Sequence, residues 1–280
     1  MKLSVIIVTY NSEPFISRCI ASVDQAVQGI PHEIIIVDNN SLDKTRKIIE
    51  HFPNSHRLLK NRRNLGFSRG INRALQESSG EFVLVMNPDV FICSQSLQPM
   101  VEFMAHHPRI GIMGCKLLNL DNSLQFSKGP FATLSSILYR GIFPRSMRKY
   151  DLWGYEQSGP CDWVTGAFML IHRDLFEKVG YFDENYFLYY EDMDFCLQAK
   201  RLGWESYYFP EITAYHVNPH ARRRINPLNS QEIERAIRNS RIYFFKKNRG
   251  AISYLIVRLL TQAFGNASFK NGYRKIFFHS

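Results

Sequence analysis

The stretch Leu3-Ser-Val-Ile-Ile-Val-Thr-Tyr-Asn11 decides the class of fold, because an apolar run ends abruptly in polar residues. The run is rich in β-branched residues, as is typical of a buried strand. Thr9, Tyr10 and Asn11 are turn-like, and Pro14 then occupies the first position of a helix whose apolar residues recur every three or four positions. The stretch therefore predicts a strand, a polar loop and a covering helix.

The same alternation continues to residue 115. Further strands are predicted at Glu33–Val37, Arg57–Lys60, Glu81–Met86 and Ile110–Cys115, with a helical pattern between each strand and the next. Short connections between alternating strands and helices imply a mainly parallel sheet flanked by helices, which is an α/β fold.

Polar clusters follow three of these strands. The clusters are Thr9-Tyr10-Asn11, Asp38-Asn39-Asn40 and Asn87-Pro88-Asp89. Asn and Asp also favour ordinary turns, so one cluster alone carries little weight. Ligands of open α/β sheets bind beyond the carboxyl ends of the strands, and we therefore expect the three clusters to share a site at one edge.

The second half of the chain is less regular at first. Residues 116–160 are interpreted as an irregular segment near the site. The pattern then resumes, with strands predicted at Ala167–His172 and Trp204–Phe209 and helices predicted from near Arg173 and at Phe195–Leu202.

Acidic residues and one histidine are the candidates for chemistry. Asp89 closes a strand behind a proline, and a rigid carboxylate there suits Mg²⁺ or Mn²⁺. Glu191 and Asp192 share a crowded acidic cluster with Asp194 beside aromatic residues, which raises carboxyl pKa values and suits a general base. The cluster is also compatible with a helix N-terminus collecting acids. His216 is a candidate ligand only if the fold brings it next to Asp89.

Charge is concentrated at the end of the chain. Residues 217–280 contain 13 of the 35 lysines and arginines, but of the 25 acidic residues only Glu232 and Glu234. Such a tail suits nucleic acid, anionic lipid headgroups or a phosphate-bearing substrate, and it is equally compatible with a solvated basic surface.

Several classes of protein are excluded or disfavoured. The sequence contains no G-x-G-x-x-G, P-loop or G-x-S-x-G motif, and no apolar run reaches the roughly 18 residues of a membrane span. The five cysteines are widely spaced without a Cys-x-x-Cys pair, and Leu3–Val8 lacks the features of a signal peptide. A reducing cytoplasm is therefore the expected location.

Several motifs run in order over about residues 3–217: Ser4-Val-Ile-Ile-Val-Thr-Tyr-Asn11, Ile36-Val-Asp-Asn-Asn-Ser41, Asn64-Leu-Gly-Phe67, Val85-Met-Asn-Pro-Asp-Val90, Thr165-Gly-Ala-Phe-Met-Leu-Ile171, Gly180-Tyr-Phe-Asp-Glu184 and Phe187-Leu-Tyr-Tyr-Glu-Asp-Met-Asp-Phe-Cys196. In this order and spacing the chain resembles inverting glycosyltransferases of family 2, which have the GT-A fold. Within the family it is most similar to bacterial rhamnosyltransferases of cell-surface polysaccharides.

The resemblance implies roles for individual residues. Nucleotide binding is implied for Thr9, Tyr10, Asn11, Asp38, Asn64, Gly66, Asn72 and Asn87. Asp192 is implied as the catalytic base, with Glu191 holding the acceptor. Trp163, Thr165 and Gly166 are implied to border the donor sugar and acceptor. Asp89 and His216 are implied as ligands of a divalent cation, Mg²⁺ or Mn²⁺, although Asn87 replaces the first acid of the family's D-x-D motif.

We therefore expect a catalytic domain at 1–217 and a basic helical extension at 218–280. The expected reaction moves a sugar from a nucleotide-diphospho-sugar, with dTDP-rhamnose as one candidate, to a glycan or a polyprenyl-diphosphate-linked acceptor. Hexosaminyl, galactosyl and galactofuranosyl donors compete, and a non-catalytic nucleotide-binding module is the alternative. Nucleic acid is not an expected partner. The segment 251–264 suits either an anionic membrane surface or packing against the catalytic domain or a second copy.

Overall fold

The computed structural model describes residues 2–53, 56–142, 154–217 and 230–263. The first elements are β1 (Leu3–Thr9), α1 (Ile16–Ala26), β2 (His32–Asp38), α2 (Thr45–Glu50), β3 (Arg57–Lys60), α3 (Phe67–Gln76), β4 (Phe82–Met86), β5 (Val90–Ile92), α4 (Gln98–His106) and β6 (Ile110–Leu118). They are followed by β7 (Lys128–Gly129), α5 (Leu134–Ile142), β8 (Gly159–Cys161), β9 (Trp163–Val164), β10 (Phe168–His172), α6 (Asp174–Lys178), α7 (Glu191–Arg201), β11 (Glu205–His216), α8 (Ser230–Asn248) and α9 (Gly250–Ala263).

The central sheet is mixed, with the strand order β3-β2-β1-β4-β10-β6-β11-β5 and with β8 paired to β11. Strands β3, β2, β1 and β4 are parallel to one another. Strand β10 inserts antiparallel between β4 and β6, and β11 then pairs parallel with β6. The predicted α/β class and the helix-flanked sheet are confirmed.

Both faces of the sheet are covered, which explains why residues 5–8 of β1 are apolar in succession instead of alternating with polar residues. Leu3, Val5 and Ile7 pack in a cluster with α1 and α4. Ile6 and Val8 point to the other face, into a cluster formed with α3, α7 and α8. Successive side chains of a strand point to opposite faces, so each residue of β1 meets one of two helical layers.

The structure differs from the sequence prediction in several elements, including the short strands β7, β8 and β9, which were not predicted. Strand β11 has 12 residues and continues past the predicted end at Phe209 to His216, because a register shift between Phe209 and Thr213 accommodates Pro210 within the strand. Strand β5 has only three residues, too few to give a periodic pattern. Helix α5 lies in the segment interpreted as irregular.

The described part of the basic tail forms the two helices α8 and α9. Phe244 and Phe245 of α8 are fully buried in the same cluster as Phe195 of α7. The predicted boundary after residue 217 falls against 218–229, which lie outside the described residues. In the described part of the chain, no helix has the length and apolarity needed to cross a membrane.

Candidate active site

Three polar clusters meet at one edge of the sheet, as the sequence predicts. In the parallel ladder, Thr9 of β1 is in register with Asp38 of β2, and Ile7 of β1 is in register with Met86 at the end of β4. The residues that follow these strand ends therefore share the carboxyl edge, where open α/β sheets bind ligands.

The first two loops are joined by hydrogen bonds. Asn11 has a positive φ of 48°, and its Oδ1 accepts a 2.8 Å hydrogen bond from the backbone N–H of Leu42. The N–H of Asn11 donates to Ser41 Oγ at 3.0 Å. Thr9 is fully buried and its hydroxyl meets no partner among the described residues, while Tyr10 is half-buried. The loops thus form one polar surface beyond the sheet.

Asp38 is fully buried at the end of β2 and is held from two sides. Arg46 of α2 donates from Nε and Nη2 to Asp38 Oδ2, at 3.0 and 2.6 Å. The N–H of Ser41 approaches the same carboxylate at 3.2 Å. A paired and hydrogen-bonded carboxylate can be buried as an anion, and it then acts only as an acceptor.

A chain of amides connects these loops to the start of α3. The N–H of Asn39 donates to Thr9 O at 2.8 Å, and its side-chain Nδ2 donates to Gly66 O at 2.9 Å. Asn61 Nδ2 donates to Asn39 Oδ1 at 2.7 Å. Asn64 Oδ1 accepts from the N–H of Gly66 at 3.0 Å. The predicted residues Asn64 and Gly66 therefore lie at the same edge as Thr9.

Gly66 is required by its own backbone and by its neighbour Phe187. Its φ is +85°, and a Cβ atom there would lie 2.5 Å from the carbonyl oxygen of Phe187. The same oxygen accepts a 3.0 Å hydrogen bond from the N–H of Phe67. The start of α3 thus packs directly on the segment that leads to the acidic cluster.

Asn72 joins α3 to the backbone of a distant loop. Its side-chain amide exchanges two hydrogen bonds with the backbone of Phe182, at 2.8 and 3.0 Å, and also donates to Glu184 at 3.1 Å. These bonds use both N–H donors of the carboxamide and one of the lone pairs of its oxygen. Asn72 therefore ties α3 to the loop before α7.

Asp192 lies at the meeting point of three motifs. Its Oδ2 accepts a 2.9 Å hydrogen bond from the N–H of Gly166, and its Oδ1 accepts from the N–H of Met193 at 2.7 Å. A Cβ atom on Gly166 would lie 3.1 Å from the ring of Phe67 and 3.4 Å from Asp192 Cβ. Little room for a side chain exists at Gly166, because α3 and α7 both approach it.

The other two substrate-binding candidates shape the strand before Gly166. The indole N–H of Trp163 donates to Pro130 O at 3.0 Å. The N–H of Thr165 donates to Ser127 O at 2.9 Å, and the half-buried side chain of Thr165 accepts from Ala167 N–H at 3.3 Å. Trp163 is a buried support, while Thr165 lies beside Gly166 at the open edge.

Burial changes the proton affinity of the acidic pair. Burial raises the pKa of Glu191 well above its ordinary value, and the neighbouring charge of Asp192 raises it further. Burial also raises the pKa of Asp192, which the N–H groups of Gly166 and Met193 partly oppose. The Oε2 atom of Glu191 is buried and meets no hydrogen-bond partner among the described residues. A carboxylate with a raised pKa is suited to accept a proton near neutral pH.

The backbone before α7 is strained. Tyr189 and Tyr190 have positive φ values of 67° and 70°. This conformation costs a residue with a side chain about 1–2 kcal/mol, so the surrounding contacts must hold it. Strain of this kind often lies beside functional groups, and here it aims the first turn of α7, which carries Glu191 and Asp192.

The two candidate metal ligands lie close together where β11 pairs with β5. Nε2 of His216, at the end of β11, lies 3.6 Å from Oδ1 of the buried Asp89. Nδ1 of His216 lies 2.9 Å from Gln125 Oε1. Because Nδ1 contacts Gln125, Nε2 is the ring nitrogen that faces Asp89. The N–H of Asn87 donates to Ala167 O at 3.0 Å, which links this pair to the connection between β9 and β10 that carries Gly166.

These donors fit Mn²⁺ or Mg²⁺ as part of a ligand set. A carboxylate oxygen and an imidazole nitrogen suit Mn²⁺, and diphosphate oxygens and water commonly complete such sites. Within the described ranges there is no group of three or more His, Cys, Asp or Glu that could hold a metal by itself. The pair therefore fits a cation that arrives with a diphosphate.

Three contacts at the site were not anticipated from the sequence. Arg46 binds Asp38, Gln125 orients His216, and the Phe187 carbonyl holds the start of α3. Arg46 could have been suspected, since it lies in the helix directly after Asp38. Gln125 lies in an aperiodic segment, and a backbone carbonyl leaves no trace in a sequence.

Comparison with known proteins identifies the family. Residues 4–180 match the family described as Glycosyl transferase family 2. The chain is 30% identical over 243 residues to the N-acetylglucosaminyl-diphospho-decaprenol L-rhamnosyltransferase of Mycobacterium tuberculosis, covering 79% of this chain and 78% of that protein. It is 23% identical over 225 residues to the rhamnosyltransferase WbbL of Escherichia coli, covering 78% of this chain and 84% of that protein.

The fold is similar to that of a solved transferase. The mannosyltransferase PcManGT from Pyrobaculum calidifontis, in complex with GDP-Man and Mn²⁺, matches over 99% of this chain and 84% of its own. The TM-score is 0.56 and the sequence identity is 13%, so this likeness shows the fold alone. It confirms the expected GT-A fold. Because the family match spans more than half of the sequence, the chain belongs to glycosyl transferase family 2 and is a glycosyltransferase.

Proposed function

We propose that the protein is an inverting transferase that moves a sugar from a nucleotide-diphospho-sugar to a hydroxyl of a lipid-linked or glycan acceptor. One observation carries the proposal. Asp192, a carboxylate whose pKa burial raises, is held by the Gly166 N–H at the same sheet edge as the Asp89–His216 pair. A proton acceptor thus lies near a place suited to a diphosphate.

The donor nucleotide would bind over the first two loops. Asp38 is an acceptor-only group, and with Arg46 fixing its Oδ2 it suits the N–H of a base such as uracil, thymine or guanine. The buried Thr9 hydroxyl lacks a partner among the described residues, and with Tyr10 and Asn11 it would line the ribose. Asn64, Gly66 and Asn87 would border the rest of the nucleotide, whereas Asn72 supports the loop from behind.

The reaction needs one displacement. Asp192 takes the proton of an acceptor hydroxyl while the oxygen of that hydroxyl forms a bond to the anomeric carbon. The bond from the anomeric carbon to the diphosphate oxygen breaks in the same step. Attack from the face opposite the leaving group inverts the anomer, through an oxocarbenium-like transition state. Glu191 would hold the acceptor, and Trp163, Thr165 and Gly166 would border donor sugar and acceptor.

A divalent cation is part of the proposal. Asp89 and His216 would hold it, and a bound Mg²⁺ or Mn²⁺ supplies charge that stabilises a diphosphate leaving group. Asn87 in place of an acid removes one carboxylate from the set, so most of the remaining ligands would come from the diphosphate and from water.

Rhamnose from dTDP-rhamnose is the favoured donor sugar, since two of the similar proteins are rhamnosyltransferases. Hexosaminyl, galactosyl and galactofuranosyl donors are the alternatives within the family. The acceptor class is supported by the mycobacterial relative, whose name gives a diphospho-decaprenol substrate. Synthesis of a cell-surface polysaccharide would follow from such an acceptor.

A lipid-linked acceptor suggests that the protein works on the inner face of a membrane. Ile252, Leu255 and Leu259 of α9 share one side of the helix and are 76%, 51% and 62% exposed. The basic excess of residues 217–280 complements anionic headgroups. We propose that this face of α9 rests on an anionic lipid surface, with a second copy of the chain as the competing occupant.

The first test is hydrolysis and transfer by the purified protein. A panel of dTDP-, UDP- and GDP-sugars with Mn²⁺ or Mg²⁺ is assayed for nucleoside diphosphate release, with and without a lipid-diphosphate-linked sugar acceptor. Release from one donor that is lost with EDTA and in Asp192→Asn, but kept in the exposed control Asp174→Asn, supports the proposal. If no donor in the panel is hydrolysed and calorimetry detects no nucleoside diphosphate binding, the transferase proposal fails and the non-catalytic module replaces it.

A further inference from the structure

The turn that aims Asp192 is held from outside the segment that carries the family motifs. Ser240 of α8 donates its hydroxyl to Leu188 O at 2.9 Å, and Ser240 is buried. The ring of Phe244, also of α8, lies 5.5 Å from the ring of Tyr190. Residues 188–190 contain the two positive φ values, so α8 contacts the strained backbone directly.

A second set of contacts fixes the first turn of α7. Lys247 Nζ lies 2.7 Å from Asp194 Oδ2 and 2.7 Å from Asp183 Oδ2. Asn248 Nδ2 donates to Asp194 Oδ1 at 2.6 Å. Asp194 is buried two residues after Asp192, so the end of α8 and the start of α7 form one polar junction.

The ammonium group also compensates charge. Glu191, Asp192 and Asp194 crowd three carboxyl groups into one turn, where like charges oppose each other. Lys247, with a side chain 30% exposed, is the cation that pairs with this cluster among the described residues. Its ion pairs join the cluster to the loop at Asp183, which lies beside the Phe182 backbone that Asn72 binds.

We propose that α8 is a positioning element of the reaction centre. Ser240 and Lys247 hold the Leu188–Tyr190 turn and the first turn of α7 so that Asp192 meets Gly166. The inference rests on the proposed transferase function and deepens it. Neither residue touches the reacting atoms, so both are positioning residues.

The test uses the full-length protein with two variants, Lys247→Met and Ser240→Ala. Lys246→Met and Asn239→Ala are the matched controls, since both are exposed neighbours on the same helix. Lys247→Arg tests rescue by a cation. The measured quantities are kcat and KM for the donor, the affinity for nucleoside diphosphate with Mn²⁺, and hydrogen–deuterium exchange of backbone amides in 187–195.

We expect kcat to fall about tenfold in both variants, because small displacements of a reacting group are costly. The KM for the donor and the nucleoside diphosphate affinity should stay within about twofold, since the nucleotide loops lie on β1 and β2. Exchange in 187–195 should become faster, and Lys247→Arg should recover most of kcat. The control variants should match the wild type.

Two results would overturn the inference. One is an unchanged kcat with unchanged exchange in 187–195. The other is a fall of kcat and nucleotide affinity together, which would indicate a general structural role. Failure of the transferase proposal is distinguishable, because it appears as absent activity in the wild type, while exchange in 187–195 still tests whether α8 holds the turn.

Discussion

His216 Nε2 and Asp89 Oδ1 lie 3.6 Å apart, although the two residues are 127 positions apart in the sequence. The contact arises because the end of β11 pairs with β5, which begins directly after Asp89. Gln125 Oε1 lies 2.9 Å from the other ring nitrogen, Nδ1, and orients the imidazole.

We expect His216→Ala to raise the Mn²⁺ concentration for half-maximal activity by at least about tenfold, because one of the two proposed protein ligands is removed. The measurement is a Mn²⁺ titration of transfer at saturating donor. His106→Ala, an exposed histidine of α4, is the control. An unchanged Mn²⁺ dependence would remove His216 from the ligand set.

Gly66→Ala should lower the free energy of unfolding by about 2–4 kcal/mol, since both a positive φ and a 2.5 Å approach to Phe187 O oppose a side chain. Urea unfolding measures the loss. Gly180→Ala is the matched control, because Gly180 has a φ of +88° but a Cβ there meets nothing within 4 Å among the described residues. The control should lose only about 1–2 kcal/mol, and equal losses would contradict the close contact at Phe187.

Asn72→Ala should lower the free energy of unfolding by about 2–3 kcal/mol, because it leaves the buried Phe182 N–H and carbonyl without their partner. Nucleoside diphosphate affinity, measured by calorimetry, should change by no more than about threefold, allowing for small adjustments of the loop. Gln76→Ala, at the exposed end of the same helix, is the control. A large loss of affinity at unchanged stability would instead support the nucleotide contact that the family resemblance implies.

Glu191→Gln should raise the melting temperature at pH 8 and give no gain near pH 4. Burial raises the pKa of Glu191 in the folded protein, so the folded state binds the proton more tightly than the unfolded state. The wild type therefore loses stability as the pH rises from the unfolded pKa of roughly 4.3 towards the folded pKa, and glutamine avoids this loss. Melting curves of both proteins across this range test the sign.

The control for this pH series is Glu205→Gln, since Glu205 is exposed at the start of β11. It should shift the melting temperature equally at both pH values. A gain for Glu191→Gln at pH 4 as large as that at pH 8 would contradict the raised pKa.

Replacing Ile252, Leu255 and Leu259 together by serine should reduce binding to anionic vesicles at least about tenfold, because apolar area buried in the bilayer interface is lost. Co-sedimentation with phosphatidylglycerol and phosphatidylcholine vesicles measures it, with Gln262→Ser as the exposed control on α9. A change in oligomeric state in place of vesicle binding would assign this face to a second copy.

The edge of the sheet could be predicted because strand ends and polar clusters coincide in this sequence. Thr9 and Asp38 each follow an apolar run, and parallel pairing necessarily brings such ends together. The Asp89–His216 contact could only be expected conditionally, since no local pattern reports which strand will pair with β5.

The place of the basic tail could not be predicted from its charge. Lys247 belongs to a run of basic residues that suggests an anionic partner, yet its partners are Asp183 and Asp194 of the same chain. Phe244 and Phe245 end a hydrophobic run of only four residues that begins at Ile242 and is flanked by basic residues, so no long apolar stretch predicted their burial. Contacts with residues far away in the sequence decide whether such a tail packs on its own chain. The number of charged residues in the tail does not report those contacts.

The burial of Phe244 and Phe245 against the α7 layer also bears on how the molecule is made. Synthesis runs from the N-terminus, and the sheet can assemble while α8 is still within the ribosome. The apolar face that α8 covers must then stay open to water or to a chaperone until residue 245 emerges. Newly made chains would thus be vulnerable to aggregation late in translation. A delay in the emergence of α8 from the ribosome would lengthen that interval.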